Sequence, residues 1–129
     1  MQVTLLRAKL HRACVTHVQQ DLEGSCTIDG DLMDLAGLHD YEQVQIYNVD
    51  NGERFVTYAV RAEHGSRVVA VRGAAAHLAG VGDRIIICAY GLFNTTELHQ
   101  FRPVLVYCDD QNHVTGARNA IPIQMLSTA

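Results

Sequence analysis

Apolar residues along this chain fall into short segments that end at turn residues, and most segments are strand-like in length and composition. Helical patterns cover only one or two turns each. We therefore predict a mainly β fold, a small barrel with short helices, in preference to a parallel α/β sheet. The predicted strands cover residues 3–6, 13–18, 26–28, 43–48, 54–62, 67–71, 84–90 and 104–108. The predicted helices cover residues 31–36, 74–78 and 95–99, the last behind Asn94 as a cap.

Turn residues separate these segments clearly. Asn51-Gly52 lies between two strand-like segments and predicts a hairpin, because both central residues of a type I′ turn need positive φ. Gly82-Asp83 and the polar run 109–112 mark two further turns. The connections are therefore short, as expected for a small barrel.

Length and composition indicate one domain. The chain has 129 residues, of which 48% are hydrophobic, so a single domain over residues 1–129 can bury a core. The strand pattern fades after Gly116, and residues 117–129 are expected to be a tail that is ordered only if it docks. The net charge is -4 and the basic residues are scattered, so no nucleic-acid partner is expected.

No segment is expected to span a membrane. The longest apolar run, residues 85–93, is far shorter than the roughly 20 residues that a spanning helix needs. Residues 1–7 lack the pattern of a secretory signal, so we expect a cytoplasmic protein.

The cysteines and histidines do not predict a metal centre. Four cysteines are irregularly spaced without a Cys-x-x-Cys pair, and the seven histidines form no His-x-x-x-His pair. In a reducing compartment the cysteines are expected to be buried thiols. We expect neither a disulfide framework nor a metal. The four cysteines are Cys14, Cys26, Cys88 and Cys108.

The pair Gly24-Ser25 lies between strand-like sequences and is a candidate for self-cleavage. Glycine can adopt a strained turn that presents the hydroxyl of the next residue to the preceding carbonyl group, the geometry of an N-to-O acyl shift. The same pair is also common in ordinary turns. Neighbouring residues must therefore decide between these readings.

Two patterns could supply a binding site. In a strand, Arg54, Val56 and Tyr58 share one face and Thr57 lies on the other, so a cation and an acid four residues apart could line a pocket. The alternative is a solvated arginine beside a tyrosine at the edge of the core. Lys9 and His11 likewise share a face in an extended segment, which is otherwise a solvated basic surface.

The small residues 73–77 form a second ambiguous segment. Their backbone N–H groups lie at the predicted start of a helix, where an anion or a polarised carbonyl group could bind. Tight backbone packing is the alternative explanation for such small residues.

Together these segments resemble the pyruvoyl-dependent aspartate 1-decarboxylase family. The matching stretches follow the family's order through nearly the whole chain. They are Lys9-Leu10-His11-Arg12-Ala13, Val15-Thr16-His17, Glu23-Gly24-Ser25-Cys26-Thr27-Ile28-Asp29, Asn48-Val49-Asp50-Asn51-Gly52-Glu53-Arg54-Phe55, Thr57-Tyr58-Ala59, Gly65-Ser66-Arg67, Gly73-Ala74-Ala75-Ala76-His77, Gly82-Asp83 and Ile121-Pro122.

The resemblance implies a fold, an assembly and an activity. Members are double-psi β-barrels that form homotetramers with active sites shared between subunits. The precursor cleaves itself between the residues matching Gly24 and Ser25, into chains 1–24 and 25–129. Ser25 then becomes the covalent pyruvoyl group, which forms a Schiff base with L-aspartate in place of pyridoxal phosphate and without a metal. The product is β-alanine for pantothenate synthesis, and part of the family needs a maturation factor.

The resemblance also assigns residue roles. Lys9 and Arg54 bind substrate carboxylates, Tyr58 donates the proton to the decarboxylated carbon, and Thr57 stabilises the oxyanion of self-cleavage and contacts substrate. Because Thr57 and Tyr58 point to opposite faces of an ideal strand, a bulge, a strand end or a subunit boundary would have to bring both to one site. The backbone of Gly73, Ala74 and Ala75 lines the substrate pocket in this resemblance. His11 and Arg72 are secondary members of the site.

Two residues depart from the family pattern. Leu22 replaces a tyrosine, and Arg72 replaces an asparagine that is associated with processing. A guanidinium group is permanently charged and only donates hydrogen bonds, whereas an amide both donates and accepts them. The exchange of asparagine for Arg72 is therefore not conservative. Arg72 could tighten the binding of a dicarboxylate or fill the pocket.

Two alternative functions stay open, and Leu22 and Arg72 are the grounds for the first of them. The first is an uncleaved, non-catalytic or altered-specificity paralogue that acts as a binding or regulatory subunit. The second is an unrelated β-barrel binding module such as a swapped-hairpin transcription factor, against which the acidic balance of the chain argues.

Overall fold

The strand-like segments form nine strands of one mixed sheet in a computed structural model, which describes residues 1–126. One α-helix and two short 3₁₀ helices connect them. The strands are β1 (Gln2–Cys14), β2 (His17–Gln19), β3 (Cys26–Asp29), β4 (Gln43–Asn48), β5 (Arg54–Ala62), β6 (Val69–Arg72), β7 (Arg84–Asn94), β8 (Val104–Cys108) and β9 (Val114–Arg118). The helices are α1 (Gly30–Ala36) and the 3₁₀ turns Gly73–Leu78 and Glu97–Gln100.

The sheet mixes parallel and antiparallel pairs in the order β2-β6-β3-β5-β4-β7-β1-β8-β9. Three pairs are parallel, β1 with β8, β2 with β6 and β3 with β5. The short strand β3 lies between β5 and the antiparallel β6, and all four of its residues are buried. The prediction of a mainly β, double-psi barrel with short helices is confirmed.

Aliphatic side chains from both halves of the sheet fill the barrel. Leu10, Ile28, Ile46 and Ile87 are completely buried, and α1 adds Met33 to the same cluster. The alternation along β4 places Val44 and Ile46 in this core, as its sequence pattern predicts. No helix within residues 1–126 is long and apolar enough to cross a membrane.

The N-terminal prediction of two separate strands is wrong. Residues 2–14 form one strand, interrupted by irregularities between Leu6 and Ala8 and between Leu10 and Ala13. At the second irregularity Arg12 has a φ of 63°, a conformation that costs a non-glycine residue energy and that the hydrophobic pattern does not encode.

The hairpin between β4 and β5 is confirmed, but its turn differs from the prediction. Gly52 has a φ of 76°, whereas Asn51 does not have positive φ, so the turn is not type I′. Instead the side-chain oxygen of Asn48 accepts hydrogen bonds from the backbone N–H groups of Asp50 and Asn51. The side chain of Asn48, which lies outside the Asn51-Gly52 pair, therefore stabilises this turn.

The C-terminal tail begins slightly later than its predicted start. Ala117 and Arg118 still belong to β9, which pairs with β8 and which the sequence pattern missed. Residues 119–126 form no helix or strand, and residues 127–129 of the predicted tail lie outside the described residues. Docking of the tail stays a prediction.

One buried asparagine ties the end of β1 to two distant segments. The side-chain oxygen of Asn112 accepts from the backbone N–H of Cys14, and its amide nitrogen donates to the carbonyl oxygens of Cys14 and Arg67. Asn112 is 2% exposed, so water cannot replace these bonds easily.

Asn112→Ala should lower the free energy of unfolding by about 3 kcal/mol, because it leaves buried backbone groups without partners. Urea denaturation measures the loss. Asn119→Ala is the matched control, since Asn119 is exposed and makes no side-chain hydrogen bond within residues 1–126. Equal effects of the two changes would contradict the role of Asn112.

Candidate active site beside Ser25

Ser25 immediately precedes β3 and lies between two neighbouring strands. Because Cys26 pairs with Ala59 in the parallel direction, Ser25 lies next to Tyr58 of β5. On the other side the backbone N–H of Arg72 donates to the carbonyl oxygen of Ser25 at 3.0 Å. These three residues line one open cleft of about 510 Å³. The other lining residues are Leu22, Glu23, Thr27, Tyr41 and Val60.

The Ser25 hydroxyl is buried and already has a partner. Its Oγ lies 3.2 Å from Oγ1 of Thr27, and the two residues are 5% and 6% exposed. Sequence reasoning missed Thr27, although its position two residues along the strand from Ser25 was a usable signal. The Thr27 hydroxyl can orient Ser25 by donating or accepting a hydrogen bond.

The backbone before Ser25 is packed tightly against Gly73. Gly73 has a φ of 69°, and a Cβ atom at this position would lie 2.5 Å from Cα of Gly24 and 2.8 Å from its nitrogen. It would also lie 3.1 Å from the carbonyl oxygen of Leu22. Only glycine satisfies both the conformation and the contact. At Gly73 the tight-packing interpretation therefore holds.

The other small residues of this segment serve different purposes. Gly73 begins a six-residue 3₁₀ helix in which Ala76 is buried and Ala75 packs against the core. Ala74 is exposed. None of Gly73, Ala74 and Ala75 is among the side chains that line the Ser25 cleft, so their substrate-binding role stays a prediction.

Tyr58 and Thr57 remain on opposite sides of β5. The pairing of β5 with β4 is regular, with Tyr58 opposite Gln43 and Thr57 opposite Val44, so no bulge in this ladder brings the two side chains together. Tyr58 is 36% exposed and lines the cleft, whereas Thr57 does not line it. Thr57 makes no side-chain hydrogen bond within residues 1–126, so its role in self-cleavage stays a prediction.

The remaining candidate residues lie away from the cleft within one chain. The guanidinium group of Arg54 stacks over the ring of Tyr47 at 4.3 Å, and Nζ of Lys9 lies 5.6 Å from the ring centre of Tyr107. The His11 ring packs edge-on against Tyr107. None of these residues lines the Ser25 cleft, and sequence reasoning missed both aromatic partners.

Strand register places the scattered candidates on one face of the sheet. Lys9 pairs with Cys88, Cys88 pairs with Gln45, and Gln45 pairs with Val56. Directly opposed residues in antiparallel strands point to the same face, and Val56 shares its face with Arg54 and Tyr58. Three strand spacings separate Lys9 from β5, about 14 Å in all.

Burial changes the chemistry of His11 and Cys26. Burial, followed by the nearby charges of Lys9, Arg12 and Arg84, lowers the pKa of His11, and its Nδ1 is buried without a hydrogen-bond partner. Burial raises the pKa of the Cys26 thiol to about 12, and the residue is fully buried. Cys26 is therefore no nucleophile, although it adjoins Ser25.

The side chain of Arg72 faces the cleft without a protein partner. Its Nε is buried and unpaired, and the guanidinium group forms no hydrogen bond or salt bridge with residues 1–126. Among the described residues that line the cleft, Arg72 is the only basic one. The sequence identified the residue as a departure, and the structure adds its position beside Ser25.

A barrel that holds a buried serine beside a cleft with a phenol and a cation has the features of an enzyme that acts on small molecules. Comparison with known proteins also points to an enzyme. The chain belongs to the aspartate decarboxylase family, whose sequence pattern matches residues 1–115.

Full-length relatives are similar throughout. The chain is 59% identical over 125 residues to aspartate 1-decarboxylase of Alcanivorax borkumensis and 56% identical to that of Nitrosococcus oceani. Each alignment covers 97% of this chain and 99% of the relative. The enzyme of Methylococcus capsulatus is 60% identical over 124 residues, covering 96% of this chain and 98% of the relative.

The contact between Gly73 and Gly24 predicts unequal effects of two glycine substitutions. Gly73→Ala should lower the free energy of unfolding by about 3 kcal/mol. Alanine is strained in the left-handed conformation, and its Cβ would clash with the backbone of Gly24. Gly52→Ala should cost only about 1 kcal/mol, since Gly52 also has positive φ but nothing lies within 4 Å of its added Cβ. Chemical denaturation measures both, and equal losses would contradict the importance of the contact.

Proposed function

We propose that this protein decarboxylates L-aspartate to β-alanine and carbon dioxide, a carboxy-lyase reaction that serves pantothenate synthesis in the cytoplasm. Family membership supports the activity. The observation that carries the proposal is Ser25, buried between Tyr58 and Arg72 with Gly24 held against Gly73. No feature of the described residues favours a non-catalytic subunit.

Activation by self-cleavage at Gly24-Ser25 is part of the proposal. The Ser25 hydroxyl attacks the Gly24 carbonyl carbon, and the acyl group passes from nitrogen to oxygen to give an ester. Loss of the α-proton of Ser25 then breaks the Cβ–O bond, releasing residues 1–24 with a carboxylate end. Hydrolysis of the resulting dehydroalanine releases ammonia and leaves a ketone on the first residue of chain 25–129.

The surroundings of Ser25 fit this group. The hydroxyl is close to Thr27, which can orient it, and the tight contact with Gly73 limits movement of Gly24. When formed, the pyruvoyl ketone supplies the electron sink that decarboxylation needs. Neither pyridoxal phosphate nor a metal ion has a part in the proposed reaction.

Tyr58 is the proposed proton donor to the carbon that loses carbon dioxide. It lines the cleft beside Ser25 from the adjacent strand, and a tyrosine hydroxyl can act as a general acid. Lys9 and Arg54 are the proposed carboxylate-binding residues. Thr57 is proposed to act in self-cleavage and to contact substrate, and His11 is a secondary member of the site.

The proposed active site is shared between subunits of a homotetramer. In one chain, Arg54 and Lys9 lie outside the Ser25 cleft, although they share the sheet face of Tyr58. Val56 on β5 and Leu92 on β7 are 57% and 62% exposed, and a neighbouring chain packed on these strands would bury both. Packing of neighbouring chains would bring Arg54 and Lys9 of one chain to the Ser25 cleft of another.

Intact mass spectrometry of the purified protein tests the proposed function. We expect two chains divided before Ser25, with the longer chain lacking a free amino terminus and gaining mass on borohydride reduction. Ser25→Ala should stay full length and release no carbon dioxide from aspartate. If the parent protein stays full length after warm incubation, including incubation with cell extract to supply a maturation factor, the proposal in this form is wrong and the uncleaved paralogue is favoured.

Two substitutions test whether the departures from the family pattern slow cleavage. The double variant Leu22→Tyr, Arg72→Asn should cleave several-fold faster than the parent, because it restores the hydroxyl and the amide found in the family. The fraction cleaved over time, followed by gel electrophoresis, measures the effect. Leu126→Tyr, at an exposed position far along the chain, is the control for an added tyrosine. An unchanged rate in the double variant would contradict this reading.

A further inference from the structure

Arg72 and Tyr58 flank Ser25 from opposite sides. Cys26 pairs with Val71 of β6, and Arg72 is the next residue after Val71. On the other side Cys26 pairs with Ala59 of β5, and Tyr58 is the residue before Ala59. Each flanking residue is therefore one strand spacing from Ser25, about 4.8 Å between backbones. The acid and the cation face the same cleft.

The guanidinium group of Arg72 has no ion-pair partner within residues 1–126. The guanidinium group has five N–H donors, and within residues 1–126 none of them donates to the protein. Its Nε is also buried, away from bulk water. A partly buried charge without a partner is unfavourable, and binding an anion would remove the cost.

No acidic side chain within residues 1–126 pairs with Arg72. Glu23 also lines the cleft, but it is exposed and forms no salt bridge with Arg72. Other cations that could compete for a carboxylate lie elsewhere in the chain, where Arg54 stacks on Tyr47 and Lys9 lies over Tyr107. Within one chain, Arg72 is therefore the basic side chain that an anion in this cleft meets first.

We propose that Arg72 is a carboxylate-binding residue that makes the Ser25 cleft select small dicarboxylates over monocarboxylates. The planar fork of the guanidinium group matches a carboxylate with two parallel hydrogen bonds. The choice of a dicarboxylate rests on the proposed function, in which one carboxylate is lost and the other must be held. The anion site itself rests on the geometry of Arg72 alone.

Calorimetric titration with succinate tests this proposal without requiring catalysis. Succinate has two carboxylates and no amino group, so it cannot react with a ketone, and butyrate is the monocarboxylate of equal length. In a Ser25→Ala background, which keeps every sample uncleaved, Arg72→Gln should weaken succinate binding at least tenfold. Arg102→Gln, an exposed arginine outside the cleft, should change it less than twofold. Butyrate should bind at least tenfold more weakly than succinate to the parent background.

A second variant keeps the test valid if Arg72→Gln does not fold. Arg72→Lys retains the charge without the fork and should bind succinate with intermediate affinity. Equal succinate affinity in the parent, Gln and Lys proteins would overturn the proposal, as would the absence of succinate binding to the parent or equal binding of butyrate. If succinate binding depends on Arg72 but the parent never cleaves, the proposed function fails while the anion site stands. If the parent cleaves and Arg72 does not affect binding, only the anion site fails.

Discussion

Backbone pairing of β3 on both sides is the constraint on which the candidate site depends. The strand is only four residues long, yet β5 pairs with it in parallel and β6 in the antiparallel direction. Ser25 is therefore fixed at the point where β3 enters the sheet, between Tyr58 and Arg72. Parallel pairing also explains why Tyr58, 33 positions along the chain, lies beside Ser25. A serine in a free loop would have no such neighbours.

The contact between Gly73 and Gly24 extends this constraint to the bond before Ser25. Positive φ at Gly73 turns the chain from β6 into the 3₁₀ helix, and the absence of a side chain lets the two backbones meet. A backbone held on one side has fewer conformations available, so less entropy is lost when the Ser25 hydroxyl approaches the Gly24 carbonyl group. Packing and the proposed chemistry thus depend on the same glycine.

The sequence predicted much of the fold because its strong signals are local. Alternation in β4 and β5 gave their bounds and faces, and Asn51-Gly52 gave the hairpin between them. The long strand β1 could not be predicted, since its irregularity at Arg12 depends on pairing with β7. The weak strand β9 was missed because it has exposed residues along most of its length and forms only by pairing with β8.

The candidate site was predicted as a set of residues but not as an arrangement. Alternation placed Arg54 and Tyr58 on one face, yet it could not show that Tyr47 would cover the Arg54 guanidinium group. Likewise, nothing local in the sequence indicates that Arg72 would lie next to Ser25, because 47 positions separate them and β6 must pair with β3 to bring them together. The difference matters for the chemistry. Within one chain the cation next to Ser25 is Arg72, so this chain places a permanent positive charge in the cleft. That charge favours anions in the cleft whether or not the bond before Ser25 breaks.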